Sequence, residues 1–286
     1  MHLYFRKNLF LLVLFTTLSS HLGFSQEVVC TTENRRAIAE KIERVKQLNE
    51  VSVGTRIITI ASLFLETSYV ANTLEISTTE KLVVNALQLD CTTFVENVLA
   101  LNLLYQERSY TYEAYLKNLE KIRYKGGNLD GYGSRLHYYS EWFYDNEDKG
   151  ILENRTAVIG GSDVKKQINF MSTHSNRYPK LENKSALEKI KYSENFLTNT
   201  TQCILPKGAV LANEHLIDTG DIIAITTSII GLDIIHTGFA IRKKDSRIYL
   251  IHASTKGSVL ISEVPLAAYL KGIKNANGIM VATVKE

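Results

Sequence analysis

After Gly220 the chain changes texture, and no other feature constrains its fold as much. Asp221-Ile222-Ile223-Ala224-Ile225-Thr226, His236-Thr237-Gly238-Phe239-Ala240-Ile241 and Arg247-Ile248-Tyr249-Leu250-Ile251-His252 are β-branched runs of strand length. Such side chains suit a pleated, half-buried surface better than a helix. The turn Lys243-Lys244-Asp245-Ser246 joins the last two runs, which predicts an antiparallel hairpin. Ser258-Val259-Leu260-Ile261 and Gly278-Ile279-Met280-Val281-Ala282 are further strand candidates. Upstream, helical spacing dominates. Ala37, Ile38, Ile42, Val45 and Leu48 follow a cap at Thr31 or Thr32, and Ile57, Ile58, Ile60, Ala61 and Phe64 lie in a helix expected over 54–64. A short extended segment is expected over 68–74, and a third helix opens behind Asp90 with Phe94, Val95, Val98, Leu99, Leu101 and Leu103 as its buried face. Helices first and sheet second predict an α+β class.

The first residues read as an export signal. Arg6 and Lys7 precede the apolar run Leu9–Phe15, and small or polar residues follow to Ser25. The run is shorter than the roughly 20 apolar residues a membrane span needs, and no later segment looks membrane-spanning. Glu27 and Val29 before Cys30 do not make a lipoprotein signal. The expectation is a signal over 1–25, an exported and most simply periplasmic location, and one domain over 26–286. The 33 basic and 30 acidic residues are spread along the chain without a basic block, so no nucleic-acid partner is indicated.

Three cysteines remain: Cys30, Cys91 and Cys203. In an oxidising compartment an odd count leaves one thiol special, and Cys30–Cys203 is the disulfide that would leave Cys91 free. Cys91 directly follows the Asp90 cap, where helix N–H groups favour a thiolate and could receive an oxyanion. Alone, such a cysteine is more often a small buried hydrophobe. Its partners change that reading. His236 begins one strand of the predicted hairpin and His252 ends the other, so a tight turn near Asp245 brings both rings to one end of the hairpin. Thiol hydrolysis needs a base and a group that orients it. One cysteine and two histidines without a fourth ligand make a poor zinc pattern, so neither metal nor organic cofactor is expected.

Asp90-Cys91-Thr92-Thr93-Phe94-Val95, Gly220-Asp221-Ile222-Ile223, His236-Thr237-Gly238-Phe239-Ala240-Ile241 and Ile251-His252-Ala253-Ser254 together resemble the papain-like NlpC-type cell-wall cysteine peptidases. The resemblance implies a Cys-bearing helix packed on an antiparallel sheet, with Cys91 as nucleophile, His236 as base and His252 as its orienting partner. Tyr69 stands where relatives carry a substrate-site tyrosine, although the glycine and proline that precede it there are missing. His236 follows Cys91 by 145 positions, a longer interval than most members have. The intervening Ser134-Arg135-Leu136-His137-Tyr138-Tyr139-Ser140-Glu141-Trp142 and Ile168-Asn169-Phe170-Met171-Ser172-Thr173-His174 resemble the N-acetylmuramoyl-L-alanine amidase-like branch. That implies hydrolysis between muramic acid and L-alanine in muropeptides, possible anhydro forms included, with specificity in a large mixed insertion at about 105–210. Tyr69, Ser134, Arg135 and His137 are the expected substrate-binding residues. Arg135 would meet a substrate carboxylate, and His137, Tyr138 and Trp142 would form a sugar platform; locking of the insertion to the core is the competing use of Arg135 and Trp142. His137 is also a rival to His252 as third member, and His174 and His215 are weaker candidates. An endopeptidase on the same core and a non-catalytic wall-binding module are the alternative functions.

Overall fold

The computed structural model describes residues 27–49 and 51–286; the signal expected over 1–25 lies outside them. β1 (Val28–Val29) leads into α1 (Thr32–Lys46), where the Thr31 hydroxyl accepts the Asn34 N–H at 3.2 Å. α2 (Val53–Ser62) is capped by Ser52. Of the extended segment expected over 68–74 only β2 (Ser68–Tyr69) forms, because the chain turns at Asn72, which has a left-handed φ of 60°. The two-residue strands β3 (Leu82–Val83) and β4 (Gln88–Leu89) pair with β1 and β2.

α3 (Cys91–Glu107) is the central helix. Its start is fixed by a reciprocal cap: Asp90 Oδ1 accepts the Thr93 N–H at 2.8 Å, and Thr93 Oγ1 accepts the Asp90 N–H at 2.9 Å. Residues 93–104 are all buried, as expected of a helix enclosed on every side. Its polar side chains there are answered individually: Glu96 by Arg123 at 2.7 Å, Asn97 Oδ1 by the Tyr115 hydroxyl at 2.6 Å, and Asn102 Oδ1 by Arg56 Nε at 2.8 Å. Tyr115 and Arg123 come from α4 (Tyr112–Arg123).

α5 (Tyr139–Asp148), β5 (Leu152–Asn154), β6 (Ser162–Val164), α6 (Phe170–Thr173), α7 (Lys184–Asn199), β7 (Gln202–Pro206) and α8 (Val210–Asn213) follow. Then come β8 (Ile222–Thr227), β9 (Ile234–Arg242), β10 (Ile248–Ala253), β11 (Val259–Ile261), α9 (Leu266–Gly272) and β12 (Ala276–Val284). The main sheet is antiparallel, ordered β11-β10-β9-β8-β12-β7-β6, with β5 also paired to β12. α1–α5 pack on one side; Ile223, Ile225, Ala240, Leu250, Leu266 and Leu270 form a second core with α9. Residues 105–210 therefore do more than decorate a finished core: they supply β5, β6 and β7, and place Tyr115, Trp142 and Phe143 in the main core. Only the cluster around Tyr132, Tyr138, Ile168, Met171, Leu181 and Ile190 is their own.

The β9–β10 hairpin forms as predicted. Phe239 faces Ile251 and Ala240 faces Leu250, a register that sets His252 against Gly238. Phe94 of α3 meets Phe239 edge-to-face at 5.8 Å and Phe64 at 6.1 Å. Each fully buried phenylalanine contributes about 1.5–3 kcal/mol, and this trio fixes the first turn of α3 against β9. No helix among the described residues is long and apolar enough to cross a membrane. The Cys30–Cys203 disulfide is not formed, all three cysteines being free thiols. Cys30 lies beside Tyr112, whereas Cys203 on β7 faces Asp163 and packs beneath Gly161.

Candidate active site

The cap, the Phe94–Phe239 contact and the hairpin register act together to assemble one cluster. His236 Nε2 and His252 Nδ1 are 2.5 Å apart, with the rings edge-to-face at 4.8 Å. They meet because His236 and Gly238 share a face of β9 and His252 stands opposite Gly238. A β-carbon on Gly238 would lie 2.5 Å from the Ile251 carbonyl oxygen and 2.8 Å from His252 Cβ, so only glycine lets β10 approach this closely.

Cys91 opens onto the same cluster. The Thr237 N–H, next along from His236, is turned toward its sulfur and favours the thiolate, but burial first and the Asp90 charge second push the thiol up to about 12. This corrects the expectation of an acidified thiol: the helix terminus is present, yet shielding from water and the adjacent carboxylate outweigh it. Burial likewise depresses His236 to about 4 and His252 to about 3, the latter also through its histidine neighbour. These shifts all favour the neutral forms, a thiol beside two neutral imidazoles.

Three tyrosines surround the thiol. Tyr69 is raised by burial and by the nearby Cys91 and Asp90, which places it beside the thiol. Tyr269 of α9 meets the His252 ring at 5.3 Å and also senses Cys91. Tyr139 is buried beside Cys91, with its hydroxyl against the Thr237 side chain. Tyr269 and Tyr139 were missed in the sequence because each sits in an unremarkable amphipathic helix pattern.

A cavity of about 960 Å³ begins at Asp90 and Thr92, on either side of Cys91, and runs past Glu75, Tyr132, Arg135, His137 and Lys180. Arg135 and His137 thus line a space that reaches the two residues flanking Cys91, while Cys91, His236 and His252 themselves are not among its lining residues. Ser134 does not: it is buried, donates to the Gly131 carbonyl and accepts from the Asp130 N–H, both at 2.8 Å, so it closes a loop. His137 is held by its ring N–H to the Tyr132 carbonyl at 2.8 Å; the partner of His236 is His252, and His137 is no third member. Of the three residues expected to form a sugar platform, His137 and Tyr138 line this cavity and Trp142 does not. Trp142 is fully buried in the main core against Tyr139 and Phe143, and Tyr138 is buried with its hydroxyl donating to Glu194 at 2.7 Å. His174 stacks on Phe170, and His215 bonds the Ala212 carbonyl; neither joins the cluster.

Residues 59–279 match the model of the AmiA-like family, described as N-acetylmuramoyl-L-alanine amidase-like. The chain is similar to the crystal structure of an N-acetylmuramoyl-L-alanine amidase from Bacteroides uniformis, at 37% identity and a TM-score of 0.77, over 82% of this chain and 99% of that one. It is also similar to a Bacteroides fragilis protein provisionally named a xylanase, at 37% identity and a TM-score of 0.74, over 80% of this chain and 100% of that one. A Legionella pneumophila protein shares the fold at 24% identity and a TM-score of 0.68, over 88% of this chain and 95% of that one. No protein among those of curated function matches it. With the family model spanning most of its length, the chain belongs to the N-acetylmuramoyl-L-alanine amidase-like family.

Proposed function

We propose that this protein is an exported cysteine amidase of the NlpC-type, papain-like kind, hydrolysing the bond between the muramic acid lactyl group and L-alanine in muropeptides. The observation that carries the reading is the 2.5 Å contact between His236 Nε2 and His252 Nδ1 beside the capped Cys91. When His252 Nδ1 accepts from His236 Nε2–H, the other nitrogen of His236 is left as a lone-pair base. With the thiol raised and the imidazole depressed, thiol and base rest as a neutral pair. The Cys91 proton passes to His236 as the sulfur attacks the carbonyl. Backbone N–H groups at the start of α3 face the developing oxyanion, apart from that of Thr93, which Asp90 engages. The imidazolium then protonates the departing alanine nitrogen, leaving a thioester. Water gives a proton to His236 and its oxygen to the acyl carbon, and the sulfur recovers its proton.

A glycosidase needs two carboxylates for its acid and its base or nucleophile. Of the carboxylates lining this cavity, Asp90 caps α3, Glu96 pairs with Arg123, and Glu75 pairs with Arg135 and Lys180, which leaves Glu182 alone. The test is to incubate the enzyme and Cys91→Ala with a defined muropeptide and weigh the products. Free sugar plus an L-alanyl peptide, formed by the native protein alone, is expected. A shortened stem still joined to the sugar would make it an endopeptidase, and binding without turnover would make it a wall-binding module.

A further inference from the structure

Arg135, Lys180 and Glu75 line the cavity, and Glu80 joins them in a four-charge cluster. Arg135 contacts Glu75 through Nη2 and lies 3.4 Å from Glu80 through Nε, while Lys180 Nζ is 3.2 Å from both carboxylates. Both cations rest over one ring, that of Tyr132, at 4.9 Å and 5.2 Å. The carboxylates are not equivalent. The Glu80 side chain is 2% exposed and also accepts from the Tyr124 hydroxyl at 3.0 Å. The Glu75 side chain is 36% exposed, and it hangs from the loop between β2 and β3, just beyond the turn at Asn72, where its N–H bonds the Asn72 carbonyl at 3.0 Å. Arg135 is buried, and its Nε has no hydrogen-bond partner in this arrangement.

We propose that Glu75 is a displaceable counter-ion, a specificity residue that a free carboxylate of the substrate must replace on Arg135 and Lys180. The inference rests on the reading of the site as one for muropeptides. Glu80 neutralises one of the two buried cations permanently. When Glu75 swings out into water, one positive charge faces the cavity, and only an anion of similar geometry restores the balance. An uncharged group that displaced Glu75 would leave a buried cation without its counter-ion, which is strongly unfavourable. The exchange therefore selects for charge more sharply than an open arginine site would, because the resident carboxylate holds the cations against weaker ligands.

The matched probes are N-acetylmuramoyl-L-alanyl-D-glutamate and its diamide, N-acetylmuramoyl-L-alanyl-D-glutamine amide, which carries no carboxylate. Binding to Cys91→Ala is measured by calorimetry, so the result does not depend on turnover or on which bond is cut. In that background Glu75→Gln should tighten the acid by about three- to tenfold, the scale of a part-exposed ion pair, and leave the amide unchanged. Thermal unfolding of the same protein checks that it is folded, and Glu75→Ala repeats the measurement without the amide side chain. Weaker binding of the acid, no change, or an equal change for both probes would overturn the proposal. Failure of the active enzyme to cleave either probe, with the binding pattern intact, would overturn the amidase reading alone.

Discussion

Replacing Gly238 by alanine tests whether the approach of β10 to β9 sets the geometry of His236 and His252. Gly238 has no unusual backbone conformation; what it provides is space. The added methyl would sit 2.5 Å from the Ile251 carbonyl oxygen, 2.8 Å from His252 Cβ and 3.1 Å from Leu250 Cδ1. Two of these neighbours are backbone or the root of a side chain and cannot rotate away, so β10 must retreat by roughly 0.5–1 Å to restore ordinary contact distances. Overpacking of this kind destabilises by about 1–3 kcal/mol, which for a chain of this size lowers Tm by roughly 2–4 °C per kcal/mol. The same retreat carries His252 from its 2.5 Å contact with His236, and a misplacement near 1 Å can slow a reaction by about a hundredfold. The expected result for Gly238→Ala is therefore a modest fall in Tm with a fall in kcat of about ten- to a hundredfold and little change in KM. Calorimetry and steady-state kinetics on a defined muropeptide read both. Full kcat at a lowered Tm would show that His252 does not govern the rate, and an unchanged Tm would show that β10 accommodates the methyl without cost.

Asp90→Asn keeps an equally good helix cap while removing the charge that raises the Cys91 thiol; alkylation of Cys91 by iodoacetamide should become faster at a given pH with Tm nearly unchanged, and an unchanged alkylation profile would refute the electrostatic coupling. His236 and His252 titrate near 4 and 3 when folded against 6.5 for an unperturbed histidine. Below pH 6.5 the unfolded chain takes up protons first, so stability should fall with decreasing pH down to about 4, by up to about 1.4 kcal/mol per pH unit per histidine, and hold level above 6.5 as far as these groups are concerned. Denaturant melts across that range, compared with His236→Gln, measure the histidine share. For the reaction, His252→Ala should lower kcat less than His236→Ala, since it orients the base without transferring the proton; the reverse order would exchange their roles. Arg123→Met strands Glu96 in the core without the 2.7 Å partner it now has, and should destabilise the fold by about 3–5 kcal/mol, read as a lowered denaturant midpoint.

What was legible in the sequence was local. A cap and a short β-turn act over a few residues, so the start of α3 and the hairpin could be read directly, and through them Cys91, His236 and His252. The substrate side was not, because its determinants are contacts between distant segments. Nothing near Arg135 in sequence shows that Glu75 and Glu80 meet it, or that Lys180 joins them. Nor does the run from His137 to Trp142 show which aromatic faces outward. A sugar platform and a buried core strip have the same composition, and Trp142 went to the main core, because α5 lies between α4 and the sheet, while Tyr138 went to the insertion's own cluster.

The thiol shows the same limit in energetic form. A helix terminus favours a neighbouring anion by about 0.3–1 kcal/mol when exposed, and that was the effect visible in Asp90-Cys91. The rise from 9.0 to about 12 corresponds to roughly 4 kcal/mol against the thiolate, so the shielding supplied by segments far away in sequence decides the outcome. A preformed thiolate–imidazolium pair is then the wrong resting state. In the proposed mechanism the proton leaves sulfur as a substrate carbonyl accepts the electrons, and Cys91 is then expected to react slowly with small alkylating agents in the free enzyme. Occupying the cavity with an uncleaved muropeptide analogue that leaves the sulfur accessible should add little reactivity toward iodoacetamide, because no carbonyl receives the attack. A free enzyme that consumed iodoacetamide at Cys91 far faster at pH 7 than at Cys30 would contradict this neutral-pair mechanism while leaving the triad assignment standing.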